Sequence, residues 1–138
     1  MPDAARRTYT LHMPARPPLE ETFAALRDLM NRQRQHLVVG QDEPGNFSLE
    51  SSTMKDRSGK PLFAGAVQIK RNYVSYHLLP LYMDPRLKDA VPPALKKRMQ
   101  GKACFNFTKL DDELTGELES LTRRSFAGFK NLTLPWKS

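Results

Sequence analysis

Apolar residues recur at helical spacing in two stretches of the chain and at alternating spacing in four. In "PPLEETFAALRDLMNRQ", Leu19, Phe23, Leu26 and Met30 form one apolar stripe, the pattern of a helix that buries a single face. Pro18 suits its first position, where a missing N–H costs no helical bond, and Glu20 and Glu21 complement the dipole of the first turn. The pattern predicts a helix continuing to about Leu37, with Gly40 helping to end it. The second helical stripe is Leu114, Leu118, Leu121, Phe126 and Phe129. Asp111 stands where an N-cap is needed, Asp112 and Glu113 follow in the first turn, and Arg123 and Arg124 lie toward the far end.

Between these stripes the period changes to two. Phe47, Leu49 and Ser51 alternate with Ser48, Glu50 and Ser52. "LFAGAVQIK" predicts a small-residue strand with Phe63, Gly65, Val67 and Ile69 on one face, where Gly65 leaves room for a close neighbour. "KRN" is a tight connection to "YVSYHLLP", in which Val74, Tyr76 and Leu78 face one way and Tyr73, Ser75, His77 and Leu79 the other. "KACFNFTK" predicts a fourth strand with Phe105 and Phe107 inward. "GQDEPGNF" reads as a loop and "MKDRSGKP" as a turn in which Gly59 supplies a positive φ. Pro80 ends regular pairing, "DPRLKDA" is one helical turn capped by Asp84, and "PPALKKRMQG" is a short helix from Pro93 to Gly101.

The order of elements predicts an α+β domain: a mostly antiparallel sheet of four or more strands, with the N- and C-terminal helices packed on one face. The other face is expected to be partly polar. No βαβ repeat or GxGxxG supports a dinucleotide fold. The domain is expected over residues 17–130, between a polar arm at 1–16 and a tail at 131–138 whose Trp136 docks on the body. Phe23, Leu26, Met30, Val67, Val74, Leu78, Phe105, Leu118, Leu121 and Phe126 are the expected core.

Composition narrows the function classes. The 138 residues suit one domain, and 39% apolar residues can form a core. One cysteine, Cys104, excludes an internal disulfide framework and points to a reducing compartment. No apolar run approaches the roughly 18 residues of a membrane span. The first residues lack the apolar centre of a secretory signal, so a cytoplasmic location without membrane contact is expected. The formal charge of +7 steers the chain toward polyanions. It concentrates between Met54 and Lys102, where Lys55, Arg57, Lys60, Lys70, Arg71, Arg86, Lys88, Lys96, Lys97, Arg98 and Lys102 face only Asp56, Asp84 and Asp89.

Four constellations carry candidate chemistry. A basic, tyrosine-bordered pocket of Tyr76, Tyr82, Lys97, Arg98 and Lys102 would suit a small anionic or phosphorylated ligand, and this non-catalytic binding reading is preferred. The same basic surface implies weak nucleic-acid binding without sequence specificity, since no base-reading or stacking motif is present. His77 and Cys104 would meet if their strands pair, and a thiolate beside an imidazole is a nucleophile. Buried cysteines more commonly serve as small packing residues. Glu113 and Glu117, four apart on the last helix, offer oxygens to a hard cation such as iron, although acids at a helix start are ordinarily a solvated, dipole-favoured face. No cofactor is expected.

The stretch from Lys70 to Phe129, with "YVSYHLLPLY", "LKKRMQGKACFNF" and a closing "L..LT...F" helix, resembles the YdhG-like domain family of unknown function (domain of unknown function 1801). In layout the resemblance covers roughly residues 17–130. It implies a small, usually bacterial α+β domain with no established common reaction and no catalytic residues to carry over. Some relatives have been compared with frataxin, which implies an iron-carrier alternative. The +7 charge departs from that pattern.

Overall fold

A computed structural model describes residues 17–129 of the chain. The arm at 1–16 and the tail with Trp136 lie outside the described residues. Helix α1 runs Pro17–Arg32, and five strands follow: β1 Val38–Glu43, β2 Asn46–Lys55, β3 Pro61–Ile69, β4 Val74–Leu78 and, after three short helices, β5 Cys104–Phe107. The short helices are α2 Leu79–Met83, α3 Pro85–Asp89 and α4 Pro93–Lys96, and α5 Asp112–Ala127 closes the domain. The strands form one antiparallel sheet in the order β1-β2-β3-β4-β5. Helices α1 and α5 cover one face, as the sequence pattern predicts.

Local chemistry accounts for several boundaries. The Asp111 carboxylate accepts from the Leu114 N–H at 2.7 Å and caps α5. Asp84 caps α3 in the same way, accepting from Arg86 N–H at 3.0 Å. Gly59 and Gly101 both turn the chain with positive φ. All ten expected core residues are buried, joined by Leu29, Phe47, Leu49, Leu81, Leu95 and Phe107.

Several features differ from the sequence pattern, and the helix expected from Pro93 to Gly101 is a single turn that ends at Lys96. Helix α1 stops at Arg32 rather than near Leu37. Gln35 takes a left-handed φ of 52°, and the Leu37 N–H bonds to Arg34 O at 2.8 Å, so Leu37 enters the core from a turn. "VVGQDE" is a strand, not a loop. It is an edge strand exposed along its whole length, and therefore shows no alternation. Arg27 of α1 pins it by donating from Nε and Nη2 to the Asp42 carboxylate, at 2.9 and 2.6 Å, while lying 4.8 Å above the Phe47 ring. Finally, Phe63 does not share a face with Gly65. A bulge at Ala64 shifts the register, pairing Gly65 with Leu49 and Phe63 with Glu50. Phe63 thus turns to the open face, where its ring meets that of His77 edge-on at 5.1 Å.

Candidate functional site

The bend from β4 into α2 and the return of the chain into β5 create a concavity on the open face. Its backbone frame is closed by hydrogen bonds. Leu78 N–H donates to Ala103 O at 2.8 Å, Gln100 N–H to Cys104 O at 2.8 Å, and Asn106 N–H to Arg98 O at 2.8 Å. A bridge between Met99 and Phe105 continues the pairing beyond β5. The left-handed Gly101 lets the chain reverse within this frame, so Gln100 and Lys102 flank the turn. The resulting cavity has a volume of about 340 Å³ and is lined by His77, Leu79, Tyr82, Gln100, Lys102, Ala103 and Cys104. Tyr82 is 64% exposed, and the Lys102 ammonium lies 5.7 Å from its ring centroid, within cation–π reach.

The sequence-derived candidates therefore divide. Tyr82 and Lys102 share this cavity with His77 and Cys104. Lys97 and Arg98 instead border a separate cavity of about 410 Å³ with Ala94, Asp111, Glu113 and Leu114. There the two cations face two carboxylates, so the local charge is balanced. Tyr76 belongs to neither wall. It is fully buried beneath the helices, and its hydroxyl pairs with the Thr122 hydroxyl at 2.7 Å. Burial pushes its phenol well above the usual range, so it stays neutral. A ligand pocket bordered by Tyr76 is corrected on this geometry: the strand alternation that points Val74 and Leu78 inward takes Tyr76 with them. Gln100 joins the site without having been singled out in the sequence; the local signal for it is the adjacent glycine turn.

His77 and Cys104 are cross-strand partners in the β4–β5 ladder, so pairing does bring them opposite each other. Their electrostatics run against an activated pair. Burial pushes the Cys104 thiol up, outweighing a backbone hydrogen bond from Tyr76 and the charge of Lys70. Burial also lowers the His77 imidazole, favouring its neutral form. The thiol can donate to Phe105 O and Asn106 Oδ1, each at 4.0 Å. Cys104 is therefore expected to alkylate with iodoacetamide more slowly than a small free thiol at pH 7, with the rate rising as pH passes the ordinary thiol range of about 8.5. A fast, pH-independent rate at pH 6–7 would identify a thiolate and restore the nucleophile.

Glu113 and Glu117 open onto different spaces. Glu113 lines the balanced cavity beside Lys97 and Arg98, whereas Glu117 lines one of about 260 Å³ with Arg124. Among the described residues no group of three or more His, Cys, Asp or Glu side chains is placed to hold a metal ion. The eleven basic residues between Lys55 and Lys102 are all exposed. They are distributed over β2, two turns, α3, α4 and the loop before β5, not gathered on one element. No described helix is long and apolar enough to cross a membrane.

The architecture defines an α+β domain with one five-stranded antiparallel sheet, helices on one face and an open-face cavity between β4, α2 and β5. The chain matches no family model, no curated protein and no solved structure.

Proposed function

We propose that the protein is a YdhG-like, non-catalytic binding domain whose open-face cavity takes a small anionic or phosphorylated ligand. The observation that carries this reading is the wall of that cavity. Among the described residues its one fully charged side chain is Lys102, held over the Tyr82 ring, and no carboxylate lines it. An ammonium with no competing acid in a cavity of about 340 Å³ is suited to a compact anion. Gln100 adds an amide, and the neutral His77 imidazole can donate one hydrogen bond and accept another. The two sequence blocks that carry the resemblance, "YVSYHLLPLY" and "LKKRMQGKACFNF", also supply every described residue of this wall.

Calorimetric titration with inorganic phosphate and a panel of phosphorylated metabolites tests the proposal. Saturable binding is expected for at least one compound. Lys102→Gln should weaken it by about tenfold, the loss of one charge-assisted hydrogen bond, while Lys97→Gln leaves it within about twofold. Absence of saturable binding across the panel, or full affinity in Lys102→Gln, would sink the reading.

One observation favours a thiol-dependent enzyme as a second reading, namely the opposition of His77 and Cys104 across the ladder. The protonated thiol and neutral imidazole favoured by burial place it second.

A further inference from the structure

The far end of the sheet carries a larger concavity that shares no residue with the open-face site. It has a volume of about 670 Å³ and is lined by Glu20, Phe23, Pro44, Gly45, Ile69, Lys70 and Arg71. Three segments build it: the first turns of α1, the β1–β2 turn and the β3–β4 turn. The two turns are locked to one another, since Ile69 N–H donates to Gly45 O at 2.9 Å. Lys70 N–H donates to Tyr73 O at 2.8 Å and closes the second turn on itself. Gly45 has a φ of 77°, which other residues rarely adopt, so this turn geometry is written into the sequence. The cavity therefore exists before any ligand arrives, and little ordering has to accompany binding.

Its lining is divided by chemistry. Phe23 and Ile69 supply an apolar floor continuous with the core, and Pro44 extends it. Exposed Lys70 and Arg71 stand together on one turn, and exposed Glu20 stands on α1. Among the described residues none of these three charges is spent in an ion pair. The net positive charge of the rim selects against cations, and the floor rewards an apolar body. A compact inorganic anion would leave that floor in contact with water. The volume lies in the range of small-molecule sites.

We propose that this cavity is a second ligand site, for a small molecule with an apolar aromatic or acyl body and a single anionic head. The head pairs with Lys70 and Arg71, and the body lies over Phe23 and Ile69. Glu20 opposes the head and sets an upper limit on affinity.

The test uses the full chain and 8-anilinonaphthalene-1-sulfonate, which joins an apolar ring system to one sulfonate. The expected result is one saturable, fluorescence-enhancing site from which decanoate displaces the dye and decyltrimethylammonium does not. The Lys70→Gln/Arg71→Gln double variant should weaken dye and decanoate binding by about tenfold or more, and Glu20→Gln should strengthen both. Lys88→Gln, an exposed charge change on α3, should leave both unchanged, which separates local pairing from net charge. These positions are exposed, so unaltered thermal unfolding is expected of each variant. Equal affinity in the double variant, weaker binding in Glu20→Gln, or displacement by the cationic amphiphile overturns the proposal. A free small molecule and an anionic lipid headgroup present the same chemistry. Sedimentation with phosphatidylglycerol vesicles separates them, and vesicle binding without saturable decanoate binding also overturns the proposal.

Discussion

Replacing Phe105 by alanine is expected to lower the unfolding free energy by about 3–5 kcal/mol, measured by urea denaturation at constant m-value. Phe105 is fully buried and pairs with Tyr76 across the β4–β5 ladder. Its ring stacks on Phe107, with centroids 6.3 Å apart and planes inclined by 22°. Truncation removes the transfer free energy of the ring, leaves a cavity beneath α5 and forfeits the aromatic contact, which alone is worth about 0.5–1.5 kcal/mol. Backbone pairing on both sides of Phe105 limits how far the site can collapse: Met99 bridges to it, and Asn106 N–H is held by Arg98 O. Leu118→Ala, at an equally buried position on α5, should cost about 2–5 kcal/mol. A loss below about 1 kcal/mol in Phe105→Ala would mean that β5 does not pack under the helices. Because the same strand opens with Cys104, it would also dissolve the floor of the open-face cavity.

What was legible in the sequence is what local chemistry alone decides. The Asp111 cap, the acidic first turn and the apolar stripe of α5 all act within a few residues, and the helix forms where they place it. The alternation of β4 and β5 likewise sorts Val74, Tyr76 and Leu78 from Ser75 and His77 without knowledge of any partner. Features set by pairing were not legible. Strand β1 has no apolar face to betray it and exists because β2 lies beside it and Arg27 reaches Asp42. The bulge at Ala64 is a property of the β2–β3 register, yet it alone decides that Phe63 meets His77 and not the core.

The candidate site shows the same boundary between local and long-range information. Lys102 and Tyr82 are twenty residues apart, and their meeting depends on α2 and the Gly101 turn folding against one another. Lys97 and Arg98, five and four residues before Lys102 in the chain, end in another cavity because α4 turns them toward the start of α5. A charge run in sequence thus becomes two surfaces of different character. One also carries Asp111 and Glu113, and the other has no acid among its described lining residues. The partner of Tyr76 is less legible still, because Thr122 lies 46 residues away on α5. The Tyr76 hydroxyl ties the sheet to that helix, so its ring is not available to border a pocket.

Helices α1 and α5 both approach the sheet closely at Gly65, and substitution there is expected to show a sharp dependence on size. A Cβ at Gly65 would lie 3.0 Å from the His77 carbonyl oxygen, 3.0 Å from Met30 Cε and 3.1 Å from Phe126 Cζ. The methionine tip can move aside, but the carbonyl belongs to the β3–β4 ladder, in which Gly65 pairs with Leu78, and it cannot move without loosening that ladder. Alanine carries a small strain offset in part by about 0.4–1 kcal/mol of reduced unfolded-chain entropy. Valine adds two further carbons between α1 and α5 and should destabilise by about 2–3 kcal/mol through overpacking. Removing Met30 relieves one of the three contacts, so the double variant Gly65→Val/Met30→Ala should lose less stability than the two single losses combined. Denaturant titration of the four proteins in this cycle measures the difference. Additive losses, or a valine variant as stable as the parent, would show that α1 and α5 do not converge on β3.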